Sequence, residues 1–506
     1  MGKSIFGCGL AAVNSDDPIG LGQALKQTAL DSVPLGFPWV AMDEDHRLTS
    51  ALLDVPDAYT LHCVVGRGAE HAGKLHHRRS TRRPRAVALR EMTRPLSKSA
   101  RAKKAVRALR ILLGVYLLTA VFVAVQRTLL SRENNFWIFQ AAFEHLRSGA
   151  DLYAAYPEIH ADFFKYSPTF ALLFAPFALL PTTAGYALWA AACATVVWVS
   201  VARLLPPRAA FVALSLAFFS VLGDLQRAQS NALVAGLMVL AWVAYERKEQ
   251  LPAAIAVAAG AFVKLFPLAA GMGALLHKQW LRFCLILVGV IAVGAVLPVL
   301  VSDPESLAAQ YRSWYAIETR DVAPMSRYGT GGADLYAGLM GQFRVWFGVD
   351  WPHWPVQLTG LVILMLPVLV QRKRFGEYAF RVQVLASLLV FCVLFNHQAE
   401  SPSYAIAMLG AAIWYASAEQ AKWRTWLVAA CLIIVNLGSS DLMPRAWYTA
   451  YYVPYLLKTV PLIPLWIVMQ LELHGIIRNR GLAEFSELAE TDQRDVVLPQ
   501  AVQHGS

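Results

Sequence analysis

The stretch RILLGVYLLTAVFVAVQRTLLSRENNFWIFQ, residues 110–140, decides the class of fold. A helix needs roughly 20 apolar residues to cross the hydrocarbon of a bilayer, and the run from Arg110 to Leu130 supplies them. A carboxylate and two amides, Glu133, Asn134 and Asn135, follow at once, so this polar patch stands at the mouth of a membrane helix. Working outward, apolar runs separated by short polar loops recur to about residue 471. Of the 506 residues 57% are hydrophobic and 16% charged, too little polar surface to cover a soluble domain of that size. The expected class is an all-α polytopic integral membrane protein.

The formal charge of +11 does not point to nucleic acid. Much of the basic excess lies ahead of the first span, in HHRRSTRRPRAVALREMTRPLSKSARAKK, and in short loops, where it fixes orientation in the membrane. Residues 1–104 read as a basic, disordered cytosolic extension, 105–471 as the transmembrane domain and 472–506 as a cytosolic tail. Met92 is a candidate translation start, because Arg94, Lys98, Arg101, Lys103 and Lys104 would still precede the span. No secretory signal peptide is visible at the N-terminus. Four of the six cysteines fall in apolar segments, and nothing reads as a disulfide framework or a metal site.

With the basic N-terminal region inside, Ser131 emerges on the outer face of the cytoplasmic membrane. The segment YSPTFALLFAPFALLP is short and bounded by Pro168 and Pro181. Read as interfacial, it sends Arg203 and Arg208 inward. Arg247 and Lys248, Lys278 and Arg282, Arg372 to Arg374, Lys422 and Arg424, and Arg478 and Arg480 then follow them inside. This agreement requires LPAAIAVAAGAFVKLFPLAAGMGALL, from Leu251 to Leu276, to enter and leave on one side as a hairpin with Lys264 and Pro267 near its tip. The sum is about ten full spans plus this re-entrant pair, with both termini cytosolic.

The outer face then carries the chemistry. Phe136, Phe139, Phe143 and Leu146 form one apolar stripe of a short helix closed by Gly149, expected to lie flat on the membrane. Asp151, Tyr153, Tyr156, His160, Asp162, Lys165 and Tyr166 follow, an unusual density of ionisable and aromatic groups against a bilayer. Lys264 in an apolar hairpin costs at least about 2.5 kcal/mol at the bilayer centre, which makes it a functional candidate, unless it snorkels to the interface. The turns GDLQRAQSN, with Gln229 and Asn231, and NHQAESPS, with His397 and Glu400, could bond sugar hydroxyls or cap helices. The chain has no glycine-rich phosphate loop and no serine nucleophile elbow.

In chain order, Gly149-Ala150-Asp151-Leu152-Tyr153, Tyr166-Ser167-Pro168, Ala228-Gln229-Ser230-Asn231 and Lys264-Leu265-Phe266-Pro267 together resemble glycosyltransferase family 87. The resemblance runs from about Leu109 to Leu471. It implies a GT-C-like membrane enzyme that moves a hexose, typically mannose, from a polyprenyl-phosphate donor to a lipid or glycan acceptor by inverting displacement. Many members carry an aspartate just after the first span as the catalytic base, and here that position is Asn135, which cannot accept the proton. Glu133, or else Asp162, would supply the carboxylate. The leaving phosphate would meet Lys264, His397 and Arg445, or Arg320 and Arg327. Substrate-binding residues on this reading are Asn134, Asn135, Asp151, Tyr153, Tyr166, Gln229, Asn231, Lys264, His397, Glu400 and Arg445, with no metal and no cofactor. Trp314, Tyr315 and Tyr328 would serve as a lipid or sugar platform, or as interfacial anchors. The rival readings are a polytopic transporter, which internal inverted repeats would favour, and a non-catalytic relative, prompted by Asn135.

Overall fold

The computed structural model describes residues 98–160, 162–277, 280–322, 337–349, 351–418, 421–440, 442–477 and 485. The region before Lys98 with Met92, the side chain of Arg320, Arg327, Tyr328, Arg478 and Arg480 lie outside the described residues. All regular structure among the described residues is helical. In a bilayer only an intrasegment ladder satisfies every backbone polar group of an apolar run, so helices are the expected result.

The first helix, α1 (Lys98–Leu129), begins within the basic segment and runs to the turn before Glu133. After it comes α2 (Asn134–Ser148), closed by Gly149 in the left-handed region at φ 77. Its stripe of Phe136, Phe139, Phe143 and Leu146 is fully buried, not laid on the membrane. Phe139 meets Tyr166, Phe170, Phe174 and Trp189 at ring distances of 5.0–6.1 Å. Mutual edge-to-face packing of large rings draws the stripe against protein.

The segment 166–181 is too short to cross. Ser167 caps α3 (Pro168–Leu173) by accepting from the Phe170 N–H, and α4 (Ala175–Ala178) follows with Pro176 in its first turn. Next come α5 (Thr182–Leu204), α6 (Pro207–Leu225), α7 (Asn231–Glu246) and α8 (Gln250–Val263). Small residues let these helices approach closely. A Cβ on Gly236 of α7 would stand 2.7 Å from Val196 of α5 and 3.0 Å from that helix's backbone.

The hairpin is present. α8 gives way at Lys264 and Leu265 to a 3₁₀ helix, Phe266–Leu276, that packs back on it, with Pro267 against Gly260. His277 at its end lies 6.0 Å, ring to ring, from Tyr245 at the end of α7, so both hairpin ends share one end of the bundle. The tip lies at the other, since Lys264 reaches Asn231, the first residue of α7. At 1.5 Å per residue, α7 separates these two ends by ~23 Å.

The longer α-helices that follow are α9 (Trp280–Val296), α10 (Pro304–Val322), α11 (Leu339–Phe347), α12 (His353–Val370), α13 (Tyr378–Leu394), α14 (Tyr404–Ala416), α15 (Lys422–Cys431) and α16 (Leu462–Leu473). Phe485 stacks on Tyr378, bringing a residue of the expected tail back to the bundle. Five described helical segments are long and apolar enough to cross a membrane, and others of 10–17 residues are apolar but shorter. On α9 the side chains of Leu281, Leu285, Val288, Val293 and Val296 are exposed. So continuous an apolar face is stable only against lipid, which makes the chain a multi-pass membrane protein.

Candidate active site

The turn between α6 and α7 is held by three side chains from two other helices. Asn135 Nδ2 of α2 donates to the Arg227 carbonyl (2.7 Å), and Tyr186 and Trp189 of α5 donate to the carbonyls of Leu225 (2.7 Å) and Ala228 (3.2 Å). These bonds hold Ala228 at φ 50, a left-handed conformation that costs a non-glycine residue about 1–2 kcal/mol. Asn135 performs this task through its NH₂ group. An ionised carboxylate at that position would have no proton to donate and could not make this bond.

Beyond the turn, Asp224 is fully buried and accepts from the Ala232 N–H (2.8 Å) and from Asn231 Nδ2 (2.8 Å). The capping reading of this turn holds, since Asp224 accepts from an N–H in the first turn of α7, and the same carboxylate orients Asn231. Asn231 Oδ1 accepts from Lys264 Nζ at 2.7 Å. A neutral amide thus stands between a buried carboxylate and the hairpin's ammonium.

Lys264 faces a cavity of about 730 Å³. Its wall takes Asn135 from α2, Asp162, Lys165 and Tyr166 from the loop after it, Gln229 from the turn, and Lys264 to Ala269 from the hairpin, Pro267 excepted. Trp314 and Glu318 of α10, Trp354, Gln357, Leu358 and Leu361 of α12, and Asn396, His397, Gln398 and Glu400 after α13 also line it, together with apolar residues of α2 and α13. Tyr166 is held from two sides: its hydroxyl donates to Gln229 Oε1 (3.3 Å), and its carbonyl accepts from the Tyr153 hydroxyl (2.8 Å). Burial raises the Tyr166 phenol above its usual range, so it stays a neutral donor. His397 Nδ1 lies 3.3 Å from Gln357 Nε2. Glu400 acts electrostatically on Lys264 and Tyr166.

Of the expected site residues, Asn135, Asp162, Tyr166, Gln229, Lys264, His397 and Glu400 come together in this wall, with Asn231 behind Lys264. Glu133, Asn134, Asp151, Tyr153 and Arg445 do not line it. Glu133 is only 6% exposed, and its Oε2 is buried without a hydrogen-bond partner among the described residues. Asp151 accepts from the Tyr153 N–H (3.1 Å), while Arg445 is exposed. Sequence reasoning missed Glu318, Gln357 and Lys458. The ammonium of Lys458 is buried, donates to the Ser401 carbonyl (3.2 Å) and Oγ (2.6 Å) and to Ser439 Oγ (3.4 Å), and so anchors the residue next to Glu400.

Residues 163–396 match the family described as glycosyltransferase family 87. No curated protein matches the chain. Among solved structures, the crystal structure of ArnT from Cupriavidus metallidurans in the apo state is similar at 14% identity and a TM-score of 0.37, covering 76% of this chain and 78% of that one. The stretch similar to glycosyltransferase family 87 takes in Asp224, Asn231 and Lys264, and it lies within a multi-pass membrane protein.

Proposed function

We propose that this enzyme transfers a hexose, mannose by its family resemblance, from a polyprenyl-phosphate donor to a lipid or glycan acceptor at the outer face of the cytoplasmic membrane. The observation that supports this reading is the mixed lining of the cavity. It combines Lys264, His397, Asp162 and Glu400 with Leu265, Leu268, Leu358 and Leu361, four apolar side chains that are exposed in this structure. A donor with a charged phosphosugar head and a polyisoprene tail matches that mixture.

The chemistry is one displacement. An acceptor hydroxyl oxygen attacks the anomeric carbon while the bond from that carbon to the phosphate oxygen breaks, and its electron pair leaves with the phosphate. The hydroxyl proton passes to a carboxylate. Asp162 is supported as this base by its position in the wall, ahead of Glu133, which is buried away from it. Lys264, held by an uncharged amide, supplies positive charge in place before the phosphate develops its own.

The test is transfer of labelled sugar from a polyprenyl-phosphate donor by the purified full chain. Asp162→Asn should lower turnover by about 10²- to 10⁴-fold, the usual contribution of a general base, and Glu133→Gln by only a few fold. The reverse ranking would move the base to Glu133. Absence of transfer from any polyprenyl-phosphate sugar would overturn the function.

A further inference from the structure

Asn135 of α2 and Gln229 of the turn between α6 and α7 both line the cavity, and each amide already has one of its two ends committed. Asn135 donates through Nδ2 to the carbonyl of Arg227, two residues before Gln229. What it can offer the cavity is its oxygen, an acceptor. Gln229 is committed the other way round, since its Oε1 accepts from the Tyr166 hydroxyl (3.3 Å). What it can offer is its NH₂ group, a donor. Neither side chain has a further hydrogen bond among the described residues, and both are partly exposed.

The orientation of Gln229 is set from far along the chain. Gln310 of α10 is only 3% exposed and grips the Gly149 to Tyr153 element at two points: its Oε1 accepts from the Leu152 N–H (3.0 Å) and its Nε2 donates to the Ala150 carbonyl (2.8 Å). The buried Tyr153 that ends this element donates through its hydroxyl to the Tyr166 carbonyl, and the Tyr166 hydroxyl in turn holds Gln229. A line of hydrogen bonds thus runs from α10 through two tyrosines to an amide in the cavity wall. Packed supports of this kind hold a ligand-facing side chain in one rotamer that it would otherwise leave. The element that does not reach the cavity still fixes what one of its walls presents.

An ionised phosphate oxygen only accepts and an ammonium only donates, so neither uses both amides. A hydroxyl does both from one oxygen. We propose that Asn135 Oδ1 and Gln229 Nε2 together bind one hydroxyl of a sugar in the cavity, which donates to Asn135 and accepts from Gln229. The sugar is the donor's hexose or a sugar of the acceptor. An amide binds such a hydroxyl without taking its proton, so this contact selects the sugar and leaves the general base elsewhere. The assignment deepens the transferase reading and rests on it for the presence of a sugar in the cavity, but binding of free glycosides tests it separately.

The experiment is a saturation-transfer-difference NMR titration of the full chain in nanodiscs, with methyl α-D-mannopyranoside, methyl α-D-glucopyranoside and the monodeoxy analogues of each as probes. The wild type should bind at least one parent glycoside, and removing one particular hydroxyl from it should weaken binding about tenfold, since both amides then lose their partner. In Gln229→Leu the parent should weaken by about 3- to 10-fold, the size of one lost hydrogen bond, and its advantage over that one deoxy analogue should shrink by the same factor. The other analogues should keep their wild-type ratios to the parent, a selectivity that a merely structural role would not produce. The Gln229 N–H keeps its bond to the Asp224 carbonyl (3.1 Å) whatever the side chain, so this variant should fold. Asn135→Leu should shrink the same ratio, and Gln229→Leu alone decides the matter where loss of the Arg227 bond unfolds that second variant. Absence of binding to both parents, no analogue singled out, or an unchanged ratio in Gln229→Leu overturns the assignment. In the transfer assay, a raised KM for polyprenyl-phosphate mannose in Gln229→Leu places the hydroxyl on the donor, and an unchanged one places it on the acceptor. Selective glycoside binding without transfer from any polyprenyl-phosphate sugar would overturn the transferase reading and leave the hydroxyl site standing.

Discussion

At Glu246, the last residue of α7, a carboxylate receives two hydrogen bonds of 2.6 Å from the Arg381 guanidinium; at Asn231, the first, an amide separates the Asp224 carboxylate from the Lys264 ammonium. The far end repeats its pattern in Arg424 and Glu472, which pair while the guanidinium lies 3.7 Å over the Trp414 ring. The cavity end repeats its own in Lys458, whose ammonium meets only neutral oxygens among its hydrogen-bond partners. Direct pairing cancels charge locally and leaves nothing for a ligand. Holding a cation by neutral acceptors satisfies its hydrogen bonds and keeps its field available. The two ends thus separate charge that fastens helices from charge set out for a substrate.

The largest expected effect tests the fastening end. Arg424→Met leaves Glu472 buried without its cation, which should destabilise the protein by about 3–5 kcal/mol. A thermal melt in detergent measures it, and transfer per folded molecule should not change. A melting temperature equal to wild type would mean that this pair does not hold α15 to α16. At the cavity end the signature should invert. Lys264→Met should cost about 10²- to 10³-fold in turnover, the range for one preorganised charge-stabilising donor, while the melt moves little. A large melt shift with turnover retained would place Lys264 with the structural pairs and erase the contrast.

The sequence carried this contrast only in part. A lysine in an apolar hairpin is costly wherever the hairpin lies, so Lys264 stood out without a structure, and the loop charges alone required the hairpin to return to its own side. The stripe on α2 was equally plain, but periodicity defines a face and not what covers it. Lipid was the expectation, and Phe170, Phe174 and Trp189 are the finding. Glu318 looked like any charge on an amphipathic helix, because its address depends on Gln310 gripping a loop some 160 residues earlier. Glu133 ranks ahead of Asp162 on sequence because it lies close to Asn135, and the order proposed from the cavity wall is the reverse, since wall position depends on how the loop between them folds.

A smaller effect comes from turning one end into the other. Asn231→Asp offers Lys264 a carboxylate in place of the amide, the arrangement found at Glu246. Turnover should fall by about tenfold, a loss of ~1.4 kcal/mol of stabilisation of the leaving phosphate, as the ion pair competes for the lysine's charge. The measurement is kcat with a polyprenyl-phosphate sugar, alongside the melt. Unchanged kcat would show that the neutral amide is not what keeps Lys264 available.

The smallest effect isolates burial from pairing. Glu144 and Arg147 on α2 stand 3.6 Å apart with about half of each side chain exposed. Water and salt screen them, and holding two long side chains in register costs entropy, so this pair should contribute about 0–0.5 kcal/mol. Arg147→Gln should therefore leave both the melt and turnover within error of wild type, at low and at high salt. A clear destabilisation would mean that pairing alone fastens this bundle wherever it occurs. The distinction between the two ends of α7 would then rest on the presence of a partner and not on the removal of water, and Lys458, with neutral oxygens alone as its acceptors, would become the residue whose replacement by methionine decides between those two accounts.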